Sequence, residues 1–119
     1  MKQITARTPL RIVFYRDKAD RSVVVAHCLE FDLLGFGDTK HEAMNMLCEA
    51  IELQVSSAVK EQSPNVLFTP APSEYYVMFA KGKDVAIGEM AIEFEAPDYK
   101  IEGVSAREYE DEDAECATA

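Results

Sequence analysis

The run Thr39-Lys40-His41-Glu42 is the feature that most limits what this chain can become. The Thr39 hydroxyl can accept from the backbone N–H of Glu42, and the Glu42 carboxylate can reach back to the N–H of Thr39, so two donors that a helix start leaves open are both met. Such a cap contributes about 1 kcal/mol, and a carboxylate in the first turn also suits the positive end of the helix dipole. Beyond it, Ala43, Leu47, Ala50, Ile51, Gln54 and Ala58 recur at helical spacing, and Met44, Val55 and Val59 widen the stripe. Glu49, Glu52 and Lys60 lie along its margins. The spacing predicts a helix over about 40–61, packed on one side and ended by Ser63-Pro64.

Upstream, residues 10–16 (Leu-Arg-Ile-Val-Phe-Tyr-Arg) and 22–28 (Ser-Val-Val-Val-Ala-His-Cys) are rich in β-branched and aromatic side chains. The polar run 17–21 between them completes the signature of a hairpin with a five-residue loop. In the second strand, alternation sends Val23, Val25 and His27 to one face and Val24, Ala26 and Cys28 to the other. Both faces are apolar, so one should meet the helix and the other needs a cover, either the C-terminal segment or another copy of the chain. A third short strand is expected near 33–36, ending where Gly37 lets the backbone turn without a Cβ penalty. Residues 10–61 thus read as one compact α+β unit: hairpin, third strand, long helix.

Downstream, residues 68–73 (Phe-Thr-Pro-Ala-Pro-Ser) form a proline-stiffened connector. Tyr75, Tyr76, Val77 and Phe79 make 74–80 read as a strand, with a turn at 81–84. Residues 85–95 read as one or two strands with Ile92 and Phe94 turned inward, and 99–109 as a weaker strand after Ala96-Pro97-Asp98. The expected organisation is a single α+β domain over 1–107, its core at about 10–61 and a β-rich extension at about 74–107, followed by an acidic tail over 108–119.

A chain of 119 residues suits one hydrophobic core, and 48% hydrophobic with 29% charged residues is the composition of a folded globular protein. No stretch approaches eighteen uncharged apolar residues, and the first residues lack the apolar centre of a secretory signal. A cytoplasmic protein with no membrane role is expected. Cys28, Cys48 and Cys116 are odd in number and widely spaced, which argues against a disulfide framework. The net charge of −10 is unevenly placed: residues 1–83 carry ten acids and ten bases, whereas 84–119 carry twelve acids against Lys100 and Arg107. That distribution repels phosphate backbones, so direct nucleic-acid binding is not expected, and it attracts basic proteins.

Three constellations suggest chemistry. Glu30, Asp32 and Asp38, with Glu49 and Glu52 of the helix, are the carboxylates a two-metal hydrolase would need, but the first strand has no acid at its centre. His27, Cys28, His41 and Cys48 have the atoms of a zinc site, but His27 and Cys28 point to opposite faces of one strand and His41 and Cys48 lie two helical turns apart. Cys28 beside His27 also lacks an orienting Asn or Asp for thiol catalysis. Gly35-Phe36-Gly37 lacks the third glycine of a dinucleotide loop. The expectation is no catalytic residue, no metal and no cofactor.

Residues 23–43, from Val23 through Gly37-Asp38-Thr39 to Glu42-Ala43, resemble the HicB antitoxin family, whose N-terminal domain is similar to a partial ribonuclease-H fold. The matching positions are Gly37, Asp38, Thr39, Glu42 and Ala43, where a hairpin is followed by a glycine and a capped long helix. With the rest of the hairpin and the helix, about 10–61, the resemblance covers about half the chain. The approach to the helix, Leu33-Leu34-Gly35-Phe36, is shorter than the family pattern, and residues 64–119 show neither a helix pair nor a basic face for operator DNA. What the resemblance implies is a non-enzymatic protein-binding domain that holds a small basic HicA-type RNA-cleaving toxin. In that reading Glu108, Glu110, Asp111, Glu112, Asp113 and Glu115 are candidate partner-binding residues that mimic RNA phosphates. Self-association through an apolar sheet face or edge strand is also expected. The alternatives are an orphan small-molecule-binding or regulatory module on the same scaffold and, less favoured, a metal-dependent hydrolase.

Overall fold

The computed structural model describes residues 6–61, 69–86 and 99–110. Strands β1 (Ala6–Arg16), β2 (Val24–Cys28) and β3 (Leu33–Gly37) lead into helix α1 (Lys40–Lys60), followed by helix α2 (Ser73–Lys81), the short β4 (Lys83–Asp84) and β5 (Tyr99–Glu108). They form an α+β fold with one five-stranded sheet of order β3-β2-β1-β5-β4. β1 and β2 pair antiparallel from Ile12 opposite Cys28 to Arg16 opposite Val24, and β3 extends the meander with Gly35 opposite Ala26. The hairpin loop runs two residues longer than its composition suggests, because Asp20 accepts from both the backbone and the hydroxyl of Ser22 and so holds Ser22 out of the ladder. β5 joins the same sheet, parallel to β1, with a register shift between Thr8 and Pro9. Pro9 has no N–H to give to the ladder, which accounts for the irregularity.

The capping box is real but redistributed. Thr39 Oγ1 accepts from Glu42 N at 3.2 Å, while Glu42 Oε2 accepts from Asp38 N at 2.9 Å instead of from Thr39. Ala43, Met44, Leu47, Ile51, Val55 and Ala58 of α1 are all buried, against Leu10, Ile12 and Phe14 of β1 and Val24, Ala26 and Cys28 of β2. Each of the larger side chains contributes about 1.5–3 kcal/mol by leaving water. The helix sits so close to β3 that a Cβ at Gly35 would collide with the Ala43 carbonyl and lie 2.5 Å from Leu47 N. At Gly37 a Cβ would lie 2.5 Å from Glu42 Cβ, so this glycine serves close approach of the helix start and not a special backbone turn.

The segment 74–80 is helical, which corrects the strand expected there. Pro72 stands at the N-cap, Glu74 and Lys81 lie at the favourable ends of the helix dipole, and Tyr75, Met78 and Phe79 share one side at i, i+3 and i+4. That side packs on Val13 and Leu29, so tertiary burial outweighs the β preference of the aromatic residues. α2 is also the cover for the second face of the sheet. The expected strands over 85–95, with Ile92 and Phe94, fall largely outside the described residues, while the strand over 99–109 is β5.

Gly35→Ala is expected to destabilise the fold by about 3 kcal/mol, since backbone on both elements must part to admit one methyl. Urea unfolding followed by circular dichroism measures it, and a loss below about 0.5 kcal/mol would contradict the tight α1–β3 approach.

Candidate functional site

The two faces of the sheet differ in chemistry. The α1 face is dry and apolar, but the α2 face carries His27 of β2, only 2% exposed. Tyr15 from β1 lies beside it, and its hydroxyl is 3.0 Å from His27 Nδ1. On the other side His27 Nε2 is 2.7 Å from Asp32 Oδ1. Asp32 sits in the turn before β3 with a left-handed φ of 53°, which Asp tolerates better than most residues. The pattern defines the tautomer: neutral His27 donates from Nε2 to the Asp32 carboxylate and accepts the Tyr15 hydroxyl proton at Nδ1. Tyr75 of α2 closes the group from above, its ring 4.5 Å from that of His27 and stacked at 5.8 Å on Tyr15.

Both ring nitrogens of His27 are therefore engaged. Burial holds its pKa below the ordinary 6.5, with Asp32 acting in the opposite direction. Burial likewise pushes the Tyr15 hydroxyl well above the usual tyrosine range. These groups stay neutral near pH 7 and hold one another.

Above them lies a groove of about 600 Å³ between α2 and the β3 side of the sheet. Its floor and apolar wall are Tyr15, Val25, Leu34 and Phe36; Tyr75, Val77 and Met78 form the helix wall, and Tyr109 borders it. Arg16, Lys18, Asp17 and Glu74 bring two charges of each sign to its rim. Leu34 and Phe36 share this face because they stand opposite His27 and Val25 in the β2–β3 register.

The carboxylates weighed for metal chemistry are dispersed. Glu30 accepts from Arg11 N at 2.6 Å and its second oxygen is 3.1 Å from Arg11 Nε, an ionic contact. Asp32 is bound to His27, Asp38 lies at the helix start, and Glu49 and Glu52 are on α1. The zinc set separates as well. Cys28 faces α1, its thiol pushed up to about 12 by burial, Cys48 is raised in the same direction by burial, and His41 is exposed on α1. Among the described residues no three His, Cys, Asp or Glu side chains are grouped to hold a metal ion.

Of the candidate partner-binding acids, Glu108 does not belong to a tail. It is the last residue of β5, pairs with Phe14 and Lys83, and forms an ion pair with Lys40 at 2.6 Å. Glu110 is exposed just beyond the strand, and Asp111, Glu112, Asp113 and Glu115 lie outside the described residues. Gly37, Asp38, Thr39, Glu42 and Ala43 come together as the helix-start structure described above. Alternation along 22–28 marks both sheet faces as apolar, but the groove is not legible in the sequence, because the residues of its helix wall, 74–80, have the β preference of a strand. His27 standing beside Val25 in a buried strand was the available signal for the polar network.

Comparison of the chain with protein-family models, with curated proteins and with solved structures finds no match in any of the three. Among the described residues no helix is long and apolar enough to cross a membrane.

Because His27 is depressed in the folded state, the unfolded chain binds its proton first as pH falls below about 6.5, so stability should decline with acidification through that range. Urea midpoints at about pH 7.5 and about pH 5.5 read the effect. His27→Gln should flatten the slope, and an unchanged slope in that variant would mean that His27 does not carry it.

Proposed function

We propose that this protein is a non-enzymatic protein-binding domain of HicB-like character, whose partner is a small basic protein such as a HicA-type RNA-cleaving toxin. The observation that carries the reading is a contrast at one place. Beneath the groove the polar groups satisfy one another, Tyr15 to His27 to Asp32, while around it Leu34, Phe36 and Val77 are exposed. His27 itself is buried below the groove at 2% exposed, and exposed apolar side chains beside a groove suit docking.

Charge supports the nature of the partner. The excess of −10 lies beyond residue 83, and its two bases are Lys100 and Arg107. Arg107 is committed internally: it donates to the Phe79 and Ala80 carbonyls, closing the C-terminal end of α2, and contacts Asp84. A basic partner is steered toward such a surface. The succession of hairpin, third strand and capped long helix also supports the family reading, as do Gly37, Thr39 and Glu42 at the helix start. We place its action in the cytoplasm, where Cys28 and Cys48 stay reduced.

The alternative, a small-molecule or regulatory module, draws on the groove, whose 600 Å³ falls within the size range of ligand sites. Calorimetric titration with a small basic HicA-type protein distinguishes the two. Binding is expected to be tight near 50 mM salt and at least tenfold weaker near about 300 mM. Absence of binding at low salt, or affinity indifferent to salt, counts against the basic-partner reading. A metabolite-induced rise in Tm would then favour the alternative.

A further inference from the structure

We propose that α2 is an acid-released lid: a proton taken up by His27 favours a state in which α2 has left the sheet, and the groove then loses its helix wall. The proposal concerns regulation of the groove and rests on the reading of that groove as a docking site.

Among the described residues His27 is the one buried polar residue, and the groups that face it come from three places. β1 supplies Tyr15, whose hydroxyl meets Nδ1; the turn before β3 supplies Asp32, whose carboxylate meets Nε2; α2 supplies the Tyr75 ring, 4.5 Å from the imidazole. From β3, Leu34 stands opposite His27 in the ladder and brings no charge, while Asp17 and Glu74 are at the groove rim. Tyr15 lies in a strand paired along β2, and Asp32 joins β2 to β3. Of the three, only α2 can move without taking a strand of the sheet with it.

α2 is also the more lightly held of the two covers. None of its own residues is buried, and the cluster beneath it has only Val13, Leu29 and Ala71 as buried members. Pro72 at its N-cap gives no side-chain hydrogen bond to the helix start, which is the end that carries Tyr75. Its polar ties are those of Ala71 N and the Tyr76 hydroxyl to the Leu29 carbonyl, and of Arg107 to the Phe79 and Ala80 carbonyls. Elements with little buried apolar area open locally before the fold as a whole. In the neutral state Nδ1 of His27 accepts the Tyr15 proton, so a second proton at Nδ1 ends that acceptance and places a charge where little water reaches. Burial already holds the His27 pKa below 6.5, with Asp32 pulling the other way. Hydrated His27 binds the proton more strongly, so acid favours any state that wets it, and displacement of α2 is the smallest such state. Tyr75, Val77 and Met78 leave with the helix, and with them one side of the groove.

Amide hydrogen exchange of the full chain, without a partner and corrected for the intrinsic rate at each pH, reads the opening. Between about pH 7.5 and about pH 5.5 the amides of Val77, Met78 and Phe79 are expected to lose protection several-fold, and at most about tenfold, since the lower pH is about one unit below the ordinary histidine value. The opening should be insensitive to low urea, which separates it from the global unfolding that the β1 amides follow. His27→Gln should remove the response while keeping the exposed His41 of α1. Asp32→Asn removes the charge that favours a proton on covered His27, and Asn tolerates the left-handed backbone there, so its response should continue to lower pH than that of the wild type. The proposal is overturned if the α2 amides exchange only through global unfolding, if their protection is the same at both pH values, or if either variant responds as the wild type does. Binding of the basic protein at about pH 7.5 is read separately. A lid that opens with acid in a chain that binds no basic protein sinks the functional reading alone, and a basic protein held by a chain whose α2 ignores pH sinks the lid alone.

Discussion

The rest of the structure depends on the burial of β1 and β2 from both sides. Ile12, Phe14, Val24, Ala26 and Cys28 are covered by α1, while Val13 and Leu29 are covered by α2 with its flanking Ala71. Two strands wetted on either face could not hold a sheet this small, and with both covers in place they form its rigid centre. The first cover depends on space: the absence of a side chain at Gly35 lets α1 approach β3 at backbone distance. The second depends on hydrogen bonds. The Leu29 carbonyl accepts from Ala71 N at 2.8 Å and from the Tyr76 hydroxyl at 3.1 Å, and Arg107 holds the other end of α2.

That difference accounts for where binding is proposed. Among the described residues α1 packs along β1 and β2 and close on β3, whereas the nine-residue α2 leaves a groove between itself and Leu34 and Phe36 of β3. A buried histidine beneath that groove would be costly if left unpaired, and the chain through Tyr15 and Asp32 removes that cost. Glu30 is only half satisfied in comparison: one oxygen accepts from Arg11 N, while the other is buried with no hydrogen-bond partner and has only its ionic contact with Arg11.

Charge does two jobs in different places. Near the fold's centre it is spent in pairs, Lys40 with Glu108 and Arg107 with Asp84, that link β5 to α1 and to β4. These pairs are partly exposed and weakly stabilising, so their role is to orient β5 more than to hold it. The unbalanced acids that follow residue 83 then act on what approaches from outside, a long-range effect that salt moderates.

The local elements were legible because each has a short-range cause. Thr39 with Glu42 marked the helix start, the stripe from Ala43 to Ala58 marked its buried side, and alternation sent His27 and Cys28 to opposite faces. The sequence by itself therefore determined the hairpin, the third strand, the long helix and an α+β class. It did not determine that Tyr75, Tyr76 and Phe79 belong to a helix, since their β preference is overturned only by packing on Val13 and Leu29. Nor did it reveal that β5 lies parallel to β1, that Glu108 is a strand residue, or that His27 meets residues twelve positions before it and five after it. Apart from the five-residue step to Asp32, which depends on the left-handed turn there, those are contacts between segments distant in the chain, set by which faces must be covered, and only the tertiary structure decides them.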